Sequence, residues 1–176
     1  MELSFYIDEA TSEDVALIKK LAHEIWPPTF GDILSAEQIA YMLQMMYDET
    51  ALLKQMQVFR HRFFIAHEAG RKVGFMSLEH HVHHQPKTKI HKIYLLPDTQ
   101  GKGFGKKMID YAAQQALANG DQFLFLNVNK YNPAIKFYEK TGFNISGEEV
   151  IPIGNGFVMD DFIFEKELQK IPSEKG

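Results

Sequence analysis

Ile90-His-Lys-Ile-Tyr-Leu-Leu-Pro-Asp-Thr-Gln-Gly-Lys-Gly-Phe-Gly-Lys-Lys107 decides how this chain is read. An apolar, β-prone run from Ile90 to Leu96 stops at Pro97, which has no amide hydrogen for a sheet ladder. Three glycines follow, Gly101, Gly103 and Gly105, and a helical pattern is expected from about Lys102 to Asn119. The first turn of a helix presents N–H groups without partners and the positive end of the backbone dipole. Glycines there let backbone donors close on a phosphate with no side chain in the way, and Lys102 and Lys106 add positive charge. Two familiar phosphate loops do not fit. A nucleotide P-loop ends Gly-Lys-Ser/Thr, whereas Gly105 is followed by Lys106-Lys107. A dinucleotide fingerprint needs its third glycine where Lys106 stands.

The charge pattern points the same way. Residues 87–107 carry six lysines against Asp98 alone, while residues 1–50 carry ten acids against Lys19 and Lys20. An anionic ligand is favoured at the glycine turn, and the formal net charge of −4 gives no general attraction to nucleic acid. The chain has no cysteine, which excludes disulfides, thiolate catalysis and cysteine-ligated zinc. No stretch approaches the roughly 20 apolar residues of a membrane span. A cytoplasmic protein with no membrane or nucleic-acid partner is therefore expected. With 176 residues, 45% of them hydrophobic and 24% charged, the expectation is one domain over residues 1–170, followed by a flexible tail at 171–176.

Outward from the turn, Leu3–Ile7 reads as a first strand. Thr11-Ser-Glu-Asp14 is a capping box opening a helix whose apolar positions are Val15, Ile18, Leu21, Ala22 and Ile25, and Pro27-Pro28 are expected to end it. Ser35-Ala-Glu-Gln38 starts a second helix, with a short third near residues 49–57. Phe63–Ala66, Val73–Leu78 and Ile90–Leu96 form an antiparallel meander with a tight turn at Glu68-Ala-Gly-Arg71. The second half alternates a helix, a strand at Phe123–Val128, a helix at Pro133–Lys140, and two strands near Phe143–Val150 and Val158–Glu167. This is an α+β fold with one mixed sheet.

Two blocks carry a family resemblance. Gln100-Gly-Lys-Gly103-Phe-Gly105 resembles the Gln/Arg-x-x-Gly-x-Gly/Ala acetyl-CoA signature of the GNAT superfamily of N-acetyltransferases. Leu126-Asn-Val-Asn-Lys-Tyr-Asn132-Pro-Ala134-Ile-Lys-Phe137-Tyr138-Glu-Lys-Thr-Gly142-Phe143 is similar to that family's strand, asparagine-headed helix and closing Gly-Phe. The resemblance implies a largely antiparallel sheet of about seven strands, splayed at the cofactor site and flanked by helices. It implies acetyl-CoA as cosubstrate and no metal. Backbone N–H groups from Gly101 to Lys106, in the Gln100–Lys106 turn that includes Phe104, would cradle the pyrophosphate. Ile93, Tyr94 and Leu95 would lie along the pantetheine arm, with Leu95 bonding it. Asn132 would sit beside the arm, with Ala134 and Phe137 on its other side. Tyr138 would protonate the departing thiolate.

The acceptor is expected to be a small cationic, polyamine-like amine, with a homodimer as a further expectation of the resemblance. Trp26, Phe30 and Tyr41, on acidic helices, offer aromatic faces that attract ammonium groups. Glu24, His91, Asp160 and Asp161 are candidates for the base, with His91 sharing strand parity with Leu95. The alternatives left open are a regulator that binds acetyl-CoA without turnover and an acetyltransferase for protein or peptide amines. Glu79-His80-His81-Val-His83-His84 reads as a solvated hairpin end and not as a metal site, because no second ligand group stands at motif spacing.

Overall fold

In the computed structural model, which describes residues 4–169, the chain runs β1 (Phe5–Glu9), α1 (Val15–Phe30), α2 (Ala36–Tyr47), α3 (Glu49–Gln57), β2 (Arg62–Glu68), β3 (Arg71–Glu79), β4 (Lys87–Leu95), α4 (Phe104–Ala118), β5 (Phe123–Asn129), α5 (Ile135–Lys140), β6 (Asn144–Gly154) and β7 (Phe157–Glu167). The expected tail at 171–176 lies outside the described residues. Seven strands form one sheet in the order β1-β2-β3-β4-β5-β7-β6. All neighbours are antiparallel except β4 and β5. No helix among the described residues is long and apolar enough to cross a membrane.

Helices cover both faces of the sheet because the strands bury side chains on both. Phe64 pairs with Met76 and Ile65 with Phe75, so the two phenylalanines point to opposite faces. Phe75 meets Tyr47 of α2 at 5.8 Å between ring centres, and Phe64 meets Tyr111 of α4 at 5.3 Å. All four elements thus share one continuous core, in which each fully buried large apolar side chain contributes about 1.5–3 kcal/mol.

The first cap forms as its residues predict. Thr11 N–H donates to Asp14 Oδ2 (2.9 Å) and Glu13 N–H donates to Thr11 Oγ1 (3.2 Å), opening a short 3-10 turn that leads into α1. The expectation that Pro27-Pro28 ends this helix is overturned, since α1 continues through both to Phe30. Each proline removes one donor from the ladder and brings its ring toward the carbonyl four residues back. Those carbonyls belong to His23 and Glu24, two exposed residues open to water. One turn on, Gly31 N–H donates to Pro27 O (2.9 Å), while the buried rings of Trp26 and Phe30 anchor the extension. In α2, Ser35 Oγ accepts from Gln38 N–H (3.0 Å), but the reciprocal half of that capping box is not made. Gln38 Nε2 instead donates to Val158 O (3.1 Å), tying α2 to β7.

Two irregularities interrupt the middle of the sheet. Ser77 faces Lys92 and Leu78 faces Ile90, so His91 is the extra residue of a bulge in β4. Next, β4 and β5 pair only from Lys87–Lys89 to Phe123–Phe125, although β5 stays on β7 as far as Asn129. The sheet therefore opens between Ile90–Leu95 and Leu126–Asn129.

The histidine-rich hairpin end is more ordered than a solvated turn. His81, His83 and His84 adopt positive φ and are exposed. His80, by contrast, is drawn in between Arg62 (3.0 Å) and Thr88 (2.8 Å). The buried carboxylate of Asp121 fixes the turn, accepting from Thr88 Oγ1 (2.7 Å) and His81 N–H (2.9 Å).

Candidate active site

The opening in the sheet leads into two cavities, one of about 840 Å³ on the side of the glycine turn and one of about 270 Å³ on the side of α2 and β7. Ile93, Tyr94, Asn132 and Tyr138 line both, so the cavities meet at these four residues.

The larger cavity is built by the end of β4, the glycine turn and α5. Gln100, Gly101, Gly103, Phe104, Gly105 and Lys106 line it, with Leu95, Ala134 and Phe137. Gly101 and Gly103 have φ of +84° and +79°, a conformation that side-chain-bearing residues adopt only with strain. Gly103 is the N-cap of α4. The first amide of this segment with a backbone partner is Lys107, whose N–H donates to Gly103 O (3.3 Å). Among the described residues the amides of Gly101 to Lys106 have no acceptor, and an array of that kind at a helix start suits an anion. A Cβ on Gly105 would stand 3.0 Å from the Phe137 ring, so this position keeps α5 close to the turn. Lys102 is the one candidate side chain not brought here. Its Nζ turns away to Glu68 Oε2 (2.9 Å), leaving only its backbone in the turn.

Asn132 Oδ1 accepts from Ala134 N–H (2.8 Å), which fixes the entry to α5 and sets Tyr138 one turn further on. Tyr138 packs edge-on against Phe137 and Phe143. Burial pushes its phenol well above the ordinary tyrosine value, so the group keeps its proton. Its hydroxyl has no hydrogen-bond partner among the described residues, and Tyr138 is one of the four residues that line both cavities. The phenol of Tyr94 is raised in the same way, first by burial and then by the proximity of Tyr138 and Asp161.

The smaller cavity is walled by Trp26, Phe30, Leu34, Met42 and Met46 from the first two helices and by Ile151, Val158 and Met159 from the last hairpin. In this apolar surround sits Asp161, with 2% of its surface exposed and one long hydrogen bond from Asn127 Nδ2 (3.4 Å). Burial raises its carboxyl above the usual aspartate value, opposed by the Asn127 bond. His91 also lines this cavity, but not by parity with Leu95. The bulge breaks the alternation and turns His91 to the face of Lys92, Tyr94 and Glu79, where its Nε2 lies 2.8 Å from Glu79 Oε1.

Three acceptor-site candidates are not brought to the cavity. Glu24 is exposed on α1 beyond its core-facing stripe. Tyr41 donates its hydroxyl to Ile153 O (2.6 Å) and meets the Phe157 ring at 5.5 Å between centres, bracing α2 against the last hairpin. Asp160 points to the other face of β7 and pairs with Lys130 (3.2 Å). Conversely, Lys89 and Asn127 line the cavity although nothing in the sequence reading marks them. Asn127 carries a usable signal, a polar residue inside an apolar strand. Lys89 is hidden among the cluster of lysines around it.

Comparison with known proteins agrees with this geometry. Residues 18–143 match the acetyltransferase (GNAT) family. The N-acetyltransferase YuaI of Bacillus subtilis is 26% identical over 161 residues, covering 86% of this chain and 91% of YuaI. Spermidine N(1)-acetyltransferase of Thermoplasma acidophilum is 24% identical over 163 residues, covering 90% of this chain and 97% of that protein. The crystal structure of the PaiA N-acetyltransferase from Thermoplasma acidophilum in complex with coenzyme A superposes with a TM-score of 0.78 at 25% identity, covering 94% of this chain and 99% of that one. With the fold, the splayed strands and the family match in agreement, this chain belongs to the GNAT family and is an acetyl-CoA-dependent N-acetyltransferase.

Proposed function

We propose that the protein transfers the acetyl group directly from acetyl-CoA to a small cationic amine, with polyamines as the first class to test, and that Tyr138 is its general acid. The observation that carries this reading is Asp161, a buried carboxylate in a cavity whose walls from the first two helices and the last hairpin are mainly apolar and aromatic and which also reaches Tyr138. One long hydrogen bond and the charge of Lys89 do not offset the burial of this carboxyl, which stays raised, and a cationic amine would complete its shell. A cavity of about 270 Å³ is less than twice the roughly 150 Å³ that holds one benzene ring, so it suits an acceptor of roughly ten non-hydrogen atoms, the size of spermidine. Similarity to a spermidine N(1)-acetyltransferase supports the same class.

In this mechanism the free amides from Gly101 to Lys106 bind the pyrophosphate, and Leu95, Asn132, Ala134 and Phe137 hold the pantetheine arm so that the thioester reaches the junction of the two cavities. Trp26 and Phe30 confine the acceptor, and Asp161 takes its positive charge. Most of the rate comes from holding both substrates together in one geometry. Attack by the amine nitrogen forms the C–N bond, the C–S bond breaks, and Tyr138 gives its proton to the sulfur. We extend the proposal to a homodimer along β6, an edge strand that leaves Ile145 and Val150 exposed.

The test is a thiol-release screen with acetyl-CoA against spermidine, spermine, monoamines, amino acids and peptide amino termini. Turnover strongest with di- and polyamines is expected. Turnover restricted to peptides or uncharged amines would overturn the acceptor reading, and sedimentation of the purified chain as a monomer would overturn the dimer.

A further inference from the structure

The β4 bulge assembles a second group of titratable side chains from three separate segments. His61 precedes β2, Glu79 ends β3, and His91 is the bulged residue itself. The two imidazoles stack with ring centres 4.0 Å apart and planes 17° from parallel. Both direct Nε2 at one carboxylate oxygen, Glu79 Oε1, at 2.8 Å from His91 and 3.5 Å from His61. A metal ion is a poor occupant. It would have to lie in the plane of both rings to meet their lone pairs, and stacked parallel rings share no such point; the ammonium groups of Lys89 and Lys92 stand nearby as well.

The same arrangement suits proton transfer. A carboxylate only accepts, so at 2.8 Å His91 Nε2 carries the hydrogen and Nδ1 carries a lone pair. Nδ1 of His61 is buried without a partner. Nδ1 of His91 also has no partner among the described residues but is not sealed off, and His91 lines the acceptor cavity. Burial, followed by the charges of His61, Lys89 and Lys92, lowers the His91 imidazole to about 2 and holds it neutral. A lasting imidazolium is therefore disfavoured, whereas passage of a proton through the ring is not.

We propose that His91 and Glu79 form a proton relay for the acceptor amine. The inference rests on the acetyl-transfer reading above and concerns the proton that Tyr138 does not handle. As the C–N bond forms, the amine proton moves to His91 Nδ1 while the Nε2 proton passes to Glu79 Oε1. Glu79, one third exposed at its side chain, then releases that proton to solvent. Tyr138 gives its own proton to the sulfur and regains one from solvent, and once the product has left, His91 gives up its Nδ1 proton to water and takes one back at Nε2, so each turnover leaves all three residues as they began. His91 is the residue that touches the acceptor; Glu79 is a positioning residue that fixes the tautomer and receives the proton.

The experiment uses the full chain, acetyl-CoA and the best amine from the screen. His91→Ala should lower kcat by about 10²-fold or more with the KM for acetyl-CoA within threefold of wild type. Added imidazole should restore turnover in proportion to its concentration, because it can enter the vacated space and supply the missing base. Glu79→Gln, nearly isosteric, should lower kcat about tenfold or more without moving the acceptor KM, a split that a packing role would not give. If His91→Ala fails to bind coenzyme A and so has not folded, Glu79→Gln and His91→Gln decide the matter. Wild-type turnover in Glu79→Gln, or in His91→Gln, overturns the relay and leaves the acetyl-transfer reading standing. A wild-type chain that binds acetyl-CoA and acetylates no amine overturns both.

Discussion

Replacing Tyr138 by phenylalanine removes one oxygen and leaves the ring where it packs. The hydroxyl has no partner among the described residues, so no hydrogen bond is broken, and the edge contacts to Phe137 and Phe143 persist. Stability should change by less than about 1 kcal/mol, within the range of substitutions that create no cavity and strand no partner. Coenzyme A affinity should hold within about threefold, since the groups proposed to bind the pyrophosphate and arm are left in place by the substitution. Turnover is different. A positioned acid contributes typically 10²–10⁴-fold, so the loss in kcat corresponds to about 2.7–5.4 kcal/mol of transition-state stabilisation. Urea denaturation, calorimetry with coenzyme A and thiol-release kinetics on one preparation separate these quantities. An unchanged kcat would refute the assignment of Tyr138 as the acid, and a kcat that falls only together with coenzyme A affinity would show a binding role in its place.

Gly103→Ala forces a residue with a side chain to φ near +79°, at a strain of roughly 1–2 kcal/mol, and calorimetry should find coenzyme A binding weakened about tenfold. Lys102→Ala, whose side chain is turned to Glu68, should change it less than threefold, and equal losses would show that the lysine side chain, not the amide cradle, holds the anion. Asp161→Asn should raise the KM of a di- or polyamine by roughly 10-fold or more, as expected for a charge-assisted bond of about 1.5–3 kcal/mol, while that of a simple monoamine moves little; a uniform change would count against the cation subsite. Lys92 supplies a pH test. Burial, with the charge of Lys89, lowers its ammonium from 10.5 to about 7, so between those values the unfolded chain holds the extra proton and stability rises with pH by up to about 1.4 kcal/mol per unit. Lys92→Met should be more stable than wild type at pH 7 and lose this dependence, and a wild-type-minus-variant difference that stays constant between pH 7 and 9 in urea titrations would refute it.

The residues nearest one another in sequence spoke for themselves. Thr11 and Ser35 cap their helices through side chains that reach at most three residues. Phe63–Leu78 shows its hairpin because Ala69 and Gly70 supply the turn. The Gly101–Gly105 run marks a helix start that leaves amides free, and Asn132 stands at a fixed spacing before the short helix that carries Tyr138. Each of these rests on backbone geometry within a turn or two, which sequence encodes directly.

What the sequence left open was settled by strand register and by neighbours far along the chain. Two prolines stop a lone helix, yet α1 continues because Trp26 and Phe30 are needed in the core beneath it. Asp160 and Asp161 are equivalent in sequence. Alternation on β7 sends one to Lys130 and buries the other in the smaller cavity, and only the sheet says which. The bulge at His91 arises from how β3 and β4 align, and it alone brings His91 to Glu79, 12 residues earlier, and to His61 beyond it. A one-residue slip in register reverses which face a side chain takes, so the set of side chains in the smaller cavity is a property of the folded sheet, whereas the glycine turn with its free amides is written in consecutive residues.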